Sequence, residues 1–306
     1  MRILLFGSTG QVGWELQRAL APLGPVAAVS RQGDGDFFGD LTQPEALAAT
    51  IRQLAPDAIV NAAAHTAVDR AESEPEQATT INAVAPAVMA TEARALGALL
   101  VHYSTDYVFD GSGDRPWHED DSPAPLNVYG RTKLEGERAI QNSGCQHLIF
   151  RTSWVYAARG KNFIRTMLGL SAQRDALQII DDQHGAPTSA ELIADTTALA
   201  LRQSLSQNNP GGIYHLVANG ETTWFHYARY AIGIAREAGW PVRVTDDAIQ
   251  PVSSDEFKTT ARRPYNSRLD TNRLESTFGV QMPDWRRGVD HALEEMLACE
   301  KPGTSA

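Results

Sequence analysis

Short apolar runs and helical apolar stripes take turns along the first half of this chain. Residues 2–6, RILLF, form a continuous apolar run, the pattern of a strand buried on both faces. Glycines follow, then QVGWELQRALA, with apolar residues at helical spacing. VAAVS at 26–30 is a second strand. TQPEALAATIRQLAP reads as a helix, with Thr42 as its N-cap and Pro56 just past its end. AIVNAA is the next strand, and PEQATTINAVAPAVMATEARALG predicts one long alanine-rich helix closed by Gly97. LLVHYST returns as a strand. A loop rich in Gly, Pro, Asp and Ser spans 110–127. A helix near VYGRTKLEGERAI and the strand HLIFRTS complete the series.

Strand, helix and strand in repeated succession predict an α/β fold. The expected form is a Rossmann-type doubly wound parallel sheet. After about residue 155 the alternation loosens, and QNNPGG at 207–212 reads as a turn. Residues 1–155 are therefore expected to form a dinucleotide-binding domain. Residues 156–306 are expected to form mainly a smaller, interleaved C-terminal substrate lobe, with some segments returning to the first domain.

Composition narrows the function. The chain has 306 residues, ample for a buried core, and a formal net charge of −10. A nucleic-acid binder usually carries a basic stripe, and none is present. An anionic ligand therefore has to be held by a local device. Two cysteines, Cys145 and Cys299, are too few for a disulfide framework, so free thiols in a reducing compartment are expected. No apolar run reaches 18 residues, and MRILLFG reads as a core strand and not as a signal peptide. A cytoplasmic protein is expected.

The local device for anions is FGSTGQVG, directly between the first strand and the first helix. Gly7 permits the tight turn, Gly10 lets backbone approach a pyrophosphate, and Gly13 lets the helix pack on the strand. The exposed N–H groups at the helix start then face the anion. The second strand ends in Ser30-Arg31, with no acid to bind a ribose 2′-hydroxyl. That predicts a preference for NADPH, with NADH tolerated.

YGRTK, residues 129–133, sets Tyr129 and Lys133 one helical turn apart, and the chain has only four lysines. A cation beside a phenol favours phenolate, which predicts that Lys133 lowers the Tyr129 pKa enough for proton exchange with a carbonyl or alcohol oxygen. Thr105 ends the strand about 25 residues upstream, where a hydroxyl can hydrogen-bond the same oxygen.

The glycine run, NAAAHTAVDRAESEP, YSTDYVFDG, NVYGRTKLEGE, FRTSWVYA and DDQHGAPTSAEL together resemble the dTDP-4-dehydrorhamnose reductase family, a branch of the extended short-chain dehydrogenase/reductases. The resemblance covers most of the chain. It implies hydride transfer to C4 of dTDP-4-dehydro-6-deoxy-L-mannose, giving dTDP-L-rhamnose. Tyr129 is then the proton donor, Lys133 its tuning partner and ribose ligand, and Thr105 the oxyanion stabiliser. Gly10, Gln11 and Val12 match the pyrophosphate turn, and Asp40 and Leu41 the pair near adenine. Ala64, His65 and Thr66 match the segment beneath the cofactor, and Tyr103 the adjacent strand. Asp106 and Trp154 match substrate contacts. Apart from the resemblance, ARRPYNSRL at 261–269 supplies arginines for a diphosphate, and the choice among Arg262, Arg263 and neither stays open. Some relatives hold magnesium at a subunit contact, where Glu15 and Glu191 match, joined by Glu294 or Glu295. The implied partners are the dTDP-hexose and, as an open alternative, a second copy of the chain in a homodimer. Two other readings are a sugar-nucleotide epimerase or dehydratase of the same superfamily and a non-catalytic regulatory subunit. No glutamate follows Asp106, which speaks against a dehydratase. The intact Thr105, Tyr129 and Lys133 speak against a silent subunit.

Overall fold

The computed structural model describes residues 1–32, 37–207, 211–257 and 259–299. Six parallel strands form the central sheet: β1 (Ile3–Phe6), β2 (Val26–Val29), β3 (Ala58–Asn61), β4 (Leu99–Thr105), β5 (His147–Thr152) and β6 (Gly212–His215). Their order is β6-β5-β4-β3-β1-β2. Direction across the sheet reverses beside β1, which opens a crevice at the carboxyl ends of β1 and β3.

The apolar strand runs are explained by burial on both faces. Ile3, Leu5, Val60, Val101, Leu148 and Phe150 pack on one face with Leu16 and Leu20 of α1 (Gln11–Leu20). Leu4, Phe6, Ile59, Leu100 and Ile149 pack on the other with Leu47 and Ile51 of α2 (Pro44–Leu54), Met89 and Ala93 of α3 (Ala85–Leu96), and Ile140 of α4 (Val128–Ser143). Each such fully buried aliphatic side chain contributes about 1.5–3 kcal/mol.

Three expectations about local structure change. Helix α2 starts at Pro44 with Gln43 at the N-cap, because Thr42 is held in a turn by Asp40, whose Oδ1 accepts from both the Thr42 amide and hydroxyl. The long helix from 75 to 97 is broken into Pro75–Thr79, a π turn over Thr80–Val84, and α3. Pro86 lacks an N–H, and its ring would clash with the carbonyl four residues back, which belongs to Asn82. Strand β6, parallel to β5, was not foreseen. It is only four residues long, and residues 208–210 of the turn expected at 207–212 lie outside the described residues.

Beyond β5 the chain builds a further apolar core of its own. Tyr156, Ile164, Leu168, Tyr227, Trp285, Val289 and Leu293 meet there, carried largely by the helices Phe163–Gln173, Trp224–Glu237 and Trp285–Cys299. Helix α5 (Ala190–Gln207) instead returns to the sheet, where Ile193, Ala194 and Leu201 join the face that α1 covers. Cys145 is buried and Cys299 exposed, and neither is in a disulfide. Among the described residues no helix is long and apolar enough to cross a membrane.

The π turn and α4 touch through backbone. A Cβ built at Gly136 would lie 2.2 Å from the Asn82 carbonyl oxygen. Gly136→Ala is therefore expected to cost about 3 kcal/mol through forced separation of the two elements. Urea unfolding checks this, and a loss under about 0.5 kcal/mol would show that the contact yields freely.

Candidate active site

A cleft of about 900 Å³ runs along the carboxyl ends of β1, β2, β3 and β4. Its floor is the turn from β1 into α1. Gly7 has φ +80°, and a Cβ there would come within 2.7 Å of the Ala63 nitrogen, so only glycine fits. A Cβ on Gly13 would lie 2.0 Å from the Gly7 oxygen, which is the close helix–strand approach expected of it. Gly13 itself packs beneath the turn and does not line the cleft. Gly10 is the N-cap of α1 and offers no side-chain cap, leaving the first amides of the helix for a ligand.

Gly7, Gly10, Gln11, Val12, Ser30, Arg31, Asp40, Leu41, Ala64, Thr66, Tyr103, Thr105, Asp106, Tyr129, Lys133 and Trp154 all line this one cleft. His65 does not. Its amide donates to Asn82 Oδ1 at 2.8 Å, and Asn82 Nδ2 donates to the His65 carbonyl at 3.1 Å and the Thr132 hydroxyl at 3.1 Å. The π turn thus ties the segment after β3 to α4.

Tyr129 and Lys133 enter the cleft from the first turns of α4. Asn127 caps that helix, accepting from the Gly130 amide at 2.8 Å, and Glu72 accepts from the Val128 amide at 2.8 Å. Further along, Glu137 takes a bidentate pair of bonds from Arg151 on β5, at 2.9 and 2.7 Å, with both side chains buried. Thr105 closes β4. Its hydroxyl donates to Asp106 Oδ1 at 3.0 Å and accepts from the Tyr107 amide at 3.2 Å.

The expected effect of Lys133 on the phenol is not what the surroundings of Tyr129 provide. Burial pushes the phenol up to about 12, with the Thr105 hydroxyl drawing it back and Asp106 adding to the rise. Lys133 Nζ turns instead toward the sheet, donating to the Tyr103 carbonyl at 2.6 Å and meeting His102 Nε2 at 3.1 Å. Burial holds this lysine down to about 8, against the pull of Glu137. Asp106 is pushed up to about 7 by burial. Tyr129 is therefore a protonated phenol at neutral pH, a group able to give a proton away.

Several lining residues were not singled out beforehand. Ser104, Thr152 and Ser153 have buried hydroxyls without a partner, as has Asp106 Oδ2, so the cleft wall holds polar groups in need of one. Trp154 has φ +49°, a strained conformation for a non-glycine residue. Its indole stacks on Trp224 at 3.8 Å between centroids, and Trp224 also lines the cleft. FRTSWVYA pointed to Trp154, but nothing in the sequence connected it with a tryptophan 70 positions on.

Two further sets of charged residues lie outside the cleft. Arg263 is bonded to Asp69 at 2.7 Å, and neither Arg262 nor Arg263 lines the cleft. Glu15 and Glu191, which match a subunit magnesium contact in some relatives, share an arginine in this chain. Arg18 lies between them, at 3.4 Å and 3.9 Å, and reaches Asp195 at 2.9 Å. Among the described residues no group of three or more histidine, cysteine or acidic side chains could hold a metal.

A doubly wound sheet with a glycine turn under its crevice, and a Tyr-x-x-x-Lys helix beside it, defines the extended short-chain dehydrogenase/reductase class. Structures of the same class at 18–19% identity, including a glucose 4,6-dehydratase and a glucose 4-epimerase, share the fold. A family model described as RmlD substrate binding domain matches residues 1–298. The dTDP-4-dehydrorhamnose reductase of Escherichia coli K12 is 54% identical over 297 residues, 97% of this chain and 98% of that protein. The crystal structure of a dTDP-4-dehydrorhamnose reductase from Clostridium acetobutylicum superposes with a TM-score of 0.85 at 34% identity, covering 96% of this chain and 99% of the other. The Bacillus anthracis enzyme, solved in complex with NADP, gives 0.85 at 31%, with the same coverage. The chain belongs to the dTDP-4-dehydrorhamnose reductase family.

Asp106 supplies a stability test. Its pKa in the folded chain is raised above the ordinary carboxyl value, so the folded state holds its proton more tightly than the unfolded state. Stability from this group is complete below about pH 4 and is lost as pH rises through about 7. Asp106→Asn should therefore gain on wild type between pH 4 and pH 8, by up to about 4 kcal/mol. Unfolding curves at both pH values measure it; an equal offset at both would remove the buried charge from the account.

Proposed function

We propose that the chain reduces the C4 ketone of dTDP-4-dehydro-6-deoxy-L-mannose to dTDP-L-rhamnose with NADPH. The observation that carries this reading is a half-buried, protonated phenol on the same cleft wall as the Thr105 hydroxyl, above a glycine turn. The names of the relatives supply the substrate and, in one case, the nucleotide.

The cleft suits the dinucleotide. Uncapped amides at the start of α1 meet a diphosphate, and Gly10, Gln11 and Val12 lie along it. Ser30 and Arg31 line the far end of the cleft. Arg31 is exposed and has no ion-pair partner among the described residues, so it is available to a 2′-phosphate. Asp40 and Leu41, also in the cleft lining, would hold the adenine, and Ala64, Thr66, Tyr103 and Lys133 the nicotinamide half. When bound, the reduced nicotinamide supplies the hydride.

The chain's own residues then handle the oxygen of the substrate. Thr105 Oγ1 donates to the ketone oxygen as negative charge grows on it. Tyr129 Oη gives its proton to that oxygen. With its pKa near 12 the phenol keeps this proton until an alkoxide, which is more basic, is present to take it. Trp154, stacked on Trp224, forms an aromatic wall for the sugar, and Asp106 Oδ2 and Ser153 offer polar contacts. Trp224, on a helix after residue 156, joins these residues of the first 155 on the sugar side of the cleft.

NADPH oxidation, followed by absorbance with enzymatically generated substrate, tests the reading. Wild type should turn over, and Tyr129→Phe should lose about 10²- to 10⁴-fold in kcat. No oxidation by wild type would end the reductase reading, and full activity in Tyr129→Phe would end the proton-donor role alone. Arg31→Ala should raise KM for NADPH about tenfold, the loss of one charged hydrogen bond, and leave KM for NADH nearly unchanged. Equal changes for both nucleotides would take Arg31 out of the selectivity.

A further inference from the structure

His102 lies in the middle of β4 and is almost fully buried, and no step above uses it. It sits beside Asn61 of β3 in the sheet register. Its Nδ1 is 3.1 Å from Asn61 Nδ2, and its Nε2 is 3.1 Å from Lys133 Nζ. The direction of these bonds follows from one fixed point. Asn61 Oδ1 accepts from the Ala63 amide at 3.1 Å, so the Asn61 amide group presents its N–H₂ to His102. Nδ1 must then be the acceptor. A neutral imidazole carries its hydrogen on the other nitrogen, so Nε2–H points at Lys133 Nζ. An amine has a lone pair to accept that hydrogen, and an ammonium has none.

We propose that His102, oriented by Asn61, is a positioning residue that favours the free-amine form of Lys133 and so sets the pH at which this lysine becomes cationic. When Nζ takes up a proton, two donors face each other. Matching them again requires the imidazole hydrogen to move to Nδ1 and the Asn61 amide to turn over, which breaks its bond with Ala63. Protonating Lys133 thus costs a hydrogen bond two residues past the end of β3. The lowered pKa of this lysine agrees in direction, and the imidazole is itself held well below its usual value by burial and by Lys133.

The other charged groups around Lys133 do not reproduce this effect. Glu137, on the same helix, favours the ammonium, and Arg151 of β5 is paired with it. Tyr129 is a neutral phenol, and Asp106 in the turn after β4 titrates near neutrality. Glu72, before the π turn, bonds the helix start, and Arg94 of α3 bonds the Ser143 carbonyl at the helix end. His65 reaches the helix only through Asn82.

The catalytic consequence rests on the ketone reduction proposed above; the titration does not. With only four lysines in the sequence, lysine labelled with ¹³C at Cε gives a readable spectrum, and loss of a signal in Lys133→Met assigns it. In wild type that signal should titrate near 8, well below the ordinary lysine value. In His102→Gln the amide oxygen can accept from an ammonium, and in His102→Asn the contact with Nζ is gone. Both should raise the midpoint by about one pH unit, a tenfold fall in the proton concentration at half-protonation, with the pH limb of kcat following and KM for the sugar nucleotide unchanged. A midpoint that stays put in folded variants, or a wild-type midpoint at the ordinary lysine value, would overturn the proposal. The unaltered chain gives a second measure. Above the lysine midpoint, ¹⁵N-histidine spectra should show His102 protonated on Nε2, and protonation on Nδ1 would overturn the proposal even if no variant folds. Failure of the reductase assay would leave both titrations to be read, and failure of the titrations would leave turnover intact.

Discussion

Helix α4 is held against the sheet by charged and polar groups that have left water, and the rest of the site depends on that burial. Lys133 donates to the Tyr103 carbonyl, and four residues on Glu137 grips Arg151. Burying a charge is unfavourable unless it is paired and hydrogen-bonded, so these partners specify one position for the helix. Gly136 lets the Asn82 backbone close in beside them. With the helix fixed, the phenol one turn before Lys133 stands at the carboxyl ends of the strands, above the glycine turn.

The same burial decides the protonation states. Water is the group missing from around Tyr129, Lys133, Asp106 and His102, and each responds by favouring its neutral form. A neutral phenol can act as an acid, and a lysine near 8 can change charge within the working pH range. The spacing of Tyr129 and Lys133 suggested that one tunes the other directly. The geometry turns Nζ away to the strand, so their coupling passes through shared burial and the ligand cleft, not through a bond between them.

Much of the fold was legible because strands buried on both faces leave continuous apolar runs, and α/β crossovers leave helical stripes between them. What escaped was local. A four-residue edge strand such as β6 carries too little pattern to stand out. The break at Thr80–Val84 depended on a clash between Pro86 and Asn82 that the alanine-rich stretch concealed. At the site, the glycine turn and the Tyr129–Lys133 spacing could be read because each lies within a few residues. The Trp154–Trp224 stack and the Arg18 bridge between Glu15 and Glu191 could not, since each joins residues distant in the chain.

By itself, then, the sequence determined the alternation of strand and helix, the anion-binding turn, and a phenol one helical turn from a lysine. These follow from periodicity and backbone geometry, which act over a few residues. Only the tertiary structure decided which way Lys133 points, which polar groups His102 meets, and that Arg18 reaches both Glu15 and Glu191. Such outcomes depend on which polar atoms are brought together out of water, and that is settled by packing between segments far apart in the chain.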